Sequence, residues 1–274
     1  MTAAAPRFRL DPHLPAAQAL CRTALGQLDL ALASVARDTP RGVHEARKAC
    51  KRLRSLLRLM RPALGETYRT QNLRLRDAGR ALSARRDAAV LRATARSLGV
   101  GMHSGMPPQR DGGAAAARAV KLLQAQRRAI GRWPPDALTR EALDEALIEG
   151  YRRARRAGER ARHQPRAEVL HEWRKQVKHH RFQCEAVASA WPQLLRRARA
   201  LDGLGETLGR YHDLEVLAQE LQRHPQRFDG PATVLRAARR VRGEQERVAA
   251  RVLRSGTKLF GPGPRKWFER EVAR

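Results

Sequence analysis

Aromatic residues make up 4% of this 274-residue chain, too few for a fold that recognises ligands by stacking bases on aromatic platforms. Cysteine is equally sparse. Cys21, Cys50 and Cys184 lie among apolar helical positions and read as free thiols in a reducing compartment, not as a disulfide framework, a metal site or a nucleophile. No uninterrupted apolar stretch approaches a membrane span, and the opening MTAAAPRFRLDPH lacks the apolar run of a signal peptide. The expectation is a cytoplasmic protein with no membrane partner. Acidic residues are short as well: 27 Asp+Glu face 56 Lys+Arg, a formal net charge of +29. An excess of that size raises self-repulsion in the compact state, and it accompanies nucleic acid, anionic lipid or another polyanion.

The devices of phosphoryl transfer are missing too. Neither a G-x-x-x-x-G-K-[ST] loop nor a paired-carboxylate motif occurs, so the chain is not expected to be an enzyme. No second His, Cys or carboxylate recurs at ligand spacing beside the candidate histidines described below, so neither a metal nor a cofactor is expected.

What the chain does contain is helix, with no alternating strand pattern. The expected fold is all-α, with helical segments at 14–37, 43–61, 66–98 (one helix or two joined near Ser83), 114–130, 136–160, 165–190, 192–221 and 232–254. Residues 99–113 (GVGMHSGMPPQRDGG) read as an exposed loop, and GRWPP at 131–135 as the junction between halves. The tail, 257–274, reads as irregular at GPGP, packed through Phe260, Trp267 and Phe268.

Two stretches organise the rest. On a helix each residue turns the chain by about 100°, so i, i+3, i+4 and i+7 share a face. In HEARKACKRLRSLLRLMR, His44, Arg47, Lys48, Lys51, Arg54 and Arg58 fall on one side, with Arg52 at the edge. Ala46, Ala49, Cys50, Leu53, Leu56, Leu57 and Met60 form an apolar stripe opposite. HEWRKQVKHHRFQCEAVASAW repeats the pattern with His171, Arg174, Lys175, Lys178 and Arg181, and it places His179 at the stripe edge while His180 packs. Like charges at i+3 and i+4 repel, so two almost purely cationic faces point to an anionic partner. Compositional bias would scatter arginines; it would not set Lys and His at matched positions.

The match is a repeat of about 127 residues. A second block recurs at an offset of about 126: Leu75-x-x-x-Gly79-x-x-Leu82-x-x-x-Arg86-Asp87 against Leu201-x-x-x-Gly205-x-x-Leu208-x-x-x-His212-Asp213. Asp87 and Asp213 can hold their neighbours by charge-assisted hydrogen bonds, or serve as caps or surface charge.

With both blocks in view, the chain resembles the CHAD family, the helical domain named for its conserved histidines, from about residue 14 to 254. The resemblance rests on H-x-x-R-K-x-x-K-x-x-R in both halves and on L-G-x-x-[RH]-D-x-x-V-L. It implies two pseudo-symmetric four-helix bundles (about 12–130 and 136–256) forming one CHAD-like domain over 1–274. It also implies binding of inorganic polyphosphate and association with polyphosphate granules. Carried over, the contacts are His44, Arg47, Lys48, Lys51 and Arg54, with His171, Arg174, Lys175, Lys178 and Arg181; Arg86 and His212 stand before the Asp of the later block. Two departures matter. Ser83 stands where the second copy has Gly209, and Glu185 stands opposite Arg58, so the halves are expected to contribute unequally. The alternative is a nucleic-acid-binding protein using the same phosphate contacts, with nucleic acid as the competitor to test.

Overall fold

In the computed structural model the backbone is described for residues 8–82, 84–103 and 112–272, and side chains for the same residues except 84–89 and 112. Among these the regular structure is helical. Helices α1 (Ala16–Ala36), α2 (Pro40–Leu59), α3 (Arg61–Leu64), α4 (Thr67–Ala81), α5 (Ala84–Ser97) and α6 (Gly112–Ile130) form the first half. They are followed by α7 (Arg140–His163), α8 (Ala167–Val187), α9 (Leu194–Arg223), α10 (Pro231–Leu259) and α11 (Pro264–Glu271). The stretch expected as one helix or two is two, with α4 ending just before Leu82. Most of the expected exposed loop, 104–111, lies outside the described residues.

Start signals explain where the basic helices begin. The Thr39 hydroxyl accepts from the Gly42 amide at 3.0 Å, and Pro40 occupies the first helical position, where its missing N–H costs nothing. Thr139 caps α7 in the same way. The apolar stripe of α2 then faces inward: Leu53, Leu56, Leu57 and Met60 are at most 1% exposed. Each such burial stabilises the fold by roughly 1.5–3 kcal/mol.

Packing follows one order in both halves. α1 lies on α2, α2 on α4, α4 on α6 and α6 back on α1; α7 lies on α8, α8 on α9, α9 on α10 and α10 back on α7. The joint between them is chiefly α2 against α8, with α5 laid across α9.

The tail corrects the sequence-based expectation. Instead of an irregular 257–274, α10 continues to Leu259, and Pro264 opens α11. The Gly261–Gly263 stretch breaks the chain between them, and burial of Trp267 (1% exposed) supplies the reason to form a helix beyond it. Trp267 stacks on Tyr151 (centroids 4.5 Å apart, planes 5° apart), and the Tyr151 hydroxyl donates to the Pro262 carbonyl at 2.7 Å. The Arg197 guanidinium lies 4.9 Å from the Trp267 ring, 5.0 Å from Tyr151 and 5.6 Å from Phe260. It also donates to Glu271 (3.2 Å) and to the Leu259 carbonyl (3.1 Å). A buried cation thus keeps its hydrogen bonds and clasps the C-terminal segment onto α7, α8 and α9. His180 packs in the same cluster, as the sequence led us to expect.

Trp173 of α8 fills the opposite side of the second half by sliding between two glycines. A Cβ on Gly158 would meet its ring at 3.0 Å and one on Gly256 at 2.3 Å. Gly256→Ala should therefore destabilise the protein by about 1–3 kcal/mol, through overpacking against the Trp173 ring. Gly243→Ala, on the same helix with nothing within 4 Å of the new methyl, should be neutral or stabilising by up to about 1 kcal/mol. Denaturant unfolding of both variants checks the pair; equal effects would mean that helix propensity, not the Trp173 slot, decides.

Candidate functional site

The two repeated helices meet in antiparallel fashion. Arg52 Nη2 of α2 donates to Glu185 of α8 at 2.9 Å, and Ser55 Oγ lies 3.0 Å from His179 Nδ1. The charges of Glu172, on α8, and of Arg153, on α7, act on Arg58. Moving along α2 from 52 to 58 therefore means moving backward along α8 from 185 to 172. Exchanging the halves by the repeat offset turns the contact of Ser55 with His179 into one between Phe182 and Arg52. That contact also exists, with the Arg52 guanidinium 5.9 Å from the Phe182 ring.

The cationic side chains line the grooves beside this joint. In the first half, Arg47 Nη1 donates to the Gly79 carbonyl at 3.2 Å, and Arg54 Nε donates to Asn72 at 2.9 Å, so both lie against α4. In the second half, Arg174 and Lys178 lie over Gly209 and Gly205 of α9, in contact with the faces where those glycines lack a Cβ. The pairing of Gly79 with Cys50 and of Gly205 with Val177 and Lys178 shows the sequence spacing at work: a small residue on α4 or α9 lets the basic helix approach closely. His44 is exposed in the first turns of α2, while Lys48 and Lys51 are half-buried farther along. Lys175 is exposed and paired with Glu172. His171 and His212 come together with ring centroids 4.6 Å apart.

Several candidates sit elsewhere than expected. His179 is nearly buried rather than at an exposed edge: it is 8% exposed, where it lines a cavity, and serves as a hydrogen-bonding link between α8 and α2. Its place in the stripe is one step past the surface, because α2 covers that side of α8. Arg52 is turned from the ligand face into the joint, held by Glu185 and lying 4.6 Å over the Phe8 ring. Arg181 faces Asp202 of α9 (3.2 Å) and Glu185 (3.6 Å), so its charge is largely matched within the protein. The side chain of Arg86, like that of Asp87, lies outside the described residues. Sequence reasoning missed Arg153. From α7 it joins Arg58 and His179 at the edge of an open cavity of about 360 Å³, and only the third helix of the junction brings it there. Among the described residues, no three His, Cys, Asp or Glu side chains converge as a metal site would require.

Electrostatics show how crowded the cations are. Burial, and then the charges of Arg58, Arg54, Lys175 and Arg153, hold the His179 imidazole well below its ordinary pKa. The two basic ridges and α7 thus converge on one point. Burial and the neighbouring Arg58 lower the pKa of Arg54, and burial above all lowers that of Arg58. His171 is pushed down to about 4 by burial, His212, Lys175 and Arg174. Its buried Nδ1 has no hydrogen-bond partner among the described residues.

An all-helical chain with a doubled His/Arg/Lys helix at its central joint defines the class of domain to which it is to be compared. The chain belongs to the CHAD domain family, whose model matches residues 19–222. The fold is similar to the crystal structure of the CHAD domain from the plant Ricinus communis. The TM-score is 0.55 and the identity 18%, with 94% of this chain and 95% of that chain covered. No curated protein matches the chain. No helix among the described residues is long and apolar enough to cross a membrane.

Three buried or half-buried histidines make stability sensitive to acid. His171, His179 and His180 all have lowered pKa values in the folded protein, whereas an unfolded-chain imidazole titrates near about 6.5. Below that pH the unfolded chain takes up protons that the folded one refuses. Stability should be intact above about 6.5 and should drain away as pH falls through the folded values, about 4 for His171. Urea midpoints at a series of pH values test this, with His171→Gln expected to flatten part of the slope. A midpoint constant from neutral pH down to about pH 5 would contradict it.

Proposed function

We propose that the protein is a non-catalytic module that binds inorganic polyphosphate along the paired basic helices α2 and α8, within one domain of two pseudo-twofold-related halves. The observation that carries this reading is the meeting of the two repeated helices at Ser55 and His179. There Arg58 of α2 and Arg153 of α7 line one open cavity, and the charges of Arg54 and Lys175 also reach the imidazole. The repeat-exchanged contacts across the joint support the twofold. Membership in the CHAD family supports the ligand class.

A flexible phosphate chain carries roughly one negative charge per unit, with acceptor oxygens all around it. Arg offers a planar fork and Lys a compact charge, so a mixture suits varied local geometry. Basic residues one helical turn apart rise about 5.4 Å, which lets one helix follow several phosphates. Arg47, Lys48, Lys51, Arg54 and Arg58 serve as the first track and Arg174, Lys175 and Lys178 as the second, with His44 and His171 near the starts of the two helices and His212 of α9 beside His171. Arg181 and the edge residue Arg52, both matched by carboxylates, contribute field more than contact in this scheme, and Arg86 keeps the contact role that the family resemblance implies. We extend the reading to a cytoplasmic protein recruited to polyphosphate granules.

Binding of polyphosphate to wild type, Lys48→Ala/Lys51→Ala and Lys175→Ala/Lys178→Ala tests the joint track. Each pair should cost about tenfold or more in affinity. Affinity should also fall steeply with salt, because each neutralised phosphate releases counterions. A bound polyanion stabilises the imidazolium and raises the pKa of His171 above its free value of about 4. Affinity should therefore rise as pH drops below the bound-state value, and less so in His171→Gln. Wild-type binding by both Lys pairs, or a flat log–log salt slope, would remove the proposal. Tighter binding of duplex DNA or RNA than of long polyphosphate, lost in the same variants, would favour the nucleic-acid alternative.

A further inference from the structure

A second cationic surface lies outside the family-matched residues 19–222, on α10. Its buried stripe (Ala237, Val241, Val248, Val252, Gly256) faces α9 and α7. Arg236, Arg240, Arg247, Arg251, Arg254 and Lys258 are all exposed. At 100° per residue they fall within about 60° of the helix circumference, and they extend along about 33 Å of its axis. Among the exposed residues of this helix the single carboxylate is Glu246; Arg247 is paired with Glu244, and Arg240 donates to the Leu98 carbonyl at 3.0 Å. Arg251, Arg254 and Lys258 pair with no carboxylate among the described residues. α10 packs chiefly on α9 and α7 and meets α8 at Trp173, on its buried side, so the exposed ridge is separate from the α2–α8 joint.

We propose that the outward face of α10 is a docking ridge for duplex nucleic acid, contacting phosphates without reading sequence. Two features favour a duplex. The ridge lies on one continuous helix, and its length is close to one duplex turn of about 34 Å. A stiff rod bearing one charge per about 1.7 Å of axis can meet such a line of cations without being ordered first. A flexible phosphate chain gains more from enclosure between helices. Single strands are ordinarily held by base stacking, and the exposed face of α10 carries no aromatic residue. A membrane-binding helix buries its apolar face in lipid, but here that face is committed to the core, and Leu235 at one end is the exposed large apolar side chain. The stripe holds no Asn or Gln, so guanidinium–phosphate forks without base contacts are its chemistry.

The test is anisotropy with two duplexes of about 20 base pairs and unrelated sequence, comparing wild type with Arg251→Gln/Arg254→Gln/Lys258→Gln. Circular dichroism checks that the exposed substitutions leave the fold intact. The variant should bind both duplexes at least about fivefold more weakly, with a salt slope smaller by about three. Its polyphosphate affinity should be unchanged, while Lys48→Ala/Lys51→Ala should bind duplex as wild type does. Undiminished duplex binding by the α10 variant overturns the proposal. So does parallel loss of polyphosphate, which would make the ridge an outlying part of that track. Stronger wild-type binding to phosphatidylserine vesicles than to duplex, lost in the same variant, also overturns it. Failure of polyphosphate binding in every protein tested would count against the α2–α8 reading alone.

Discussion

The apolar stripes of α2 and α8 are each buried in their own half, while Arg52 and Ser55 of α2 meet Glu185, Phe182 and His179 of α8 at the joint. This brings two like-charged ridges together, and most of the remaining architecture deals with that repulsion. The stripes leave no alternative placement, since Leu53, Leu56 and Leu57 on one helix and Trp173, Val177 and Cys184 on the other are all at most 1% exposed. Crowded guanidiniums are tolerable when their protons have partners. The Gly79 carbonyl takes Arg47, Asn72 takes Arg54, Asp202 takes Arg181 and Glu185 takes Arg52. In the proposed binding mode the remaining positive field favours an anion, since several of the cations are already oriented by these hydrogen bonds. His179 pays the residual cost by staying neutral.

Periodicity made the helices and the basic faces legible, because a 3.6-residue period and a matched repeat are properties of the sequence itself. The starts are less legible: the Thr39 and Thr139 caps open α2 three residues before, and α7 four residues after, the positions that the apolar pattern suggests. Three things could not be read. Which edge of a stripe is solvent depends on the neighbouring helix, so His179 and Arg52 read as edge residues although they lie in the contact between α2 and α8. Arg153 entered because α7 packs beside the joint, a tertiary fact. The tail failed for a different reason: Gly and Pro mark the break at 261–263 correctly, but Trp267 finds its partners Tyr151 and Arg197 more than sixty residues away in sequence, and that contact makes α11.

The repeat is also informative where it breaks. Glu185 occupies the place that Arg58 has in the first half. Near Arg58 the surroundings are cationic, with Arg54, Arg153 and Lys175 close enough to bear on one imidazole. At the exchanged position Glu185 instead binds Arg52 and Arg181, matching two cations within the protein. The Arg58 end of the joint therefore keeps an excess of cations, even with Glu149 and Glu172 beside it, while the Glu185 end is nearly balanced. In the proposed binding mode a polyanion meets its strongest field at the Arg58 end. The carboxylate that weakens that second patch also fastens α2 to α8, so restoring symmetry at 185 would remove a cross-joint ion pair while adding repulsion. The asymmetry stabilises the joint on which both tracks depend.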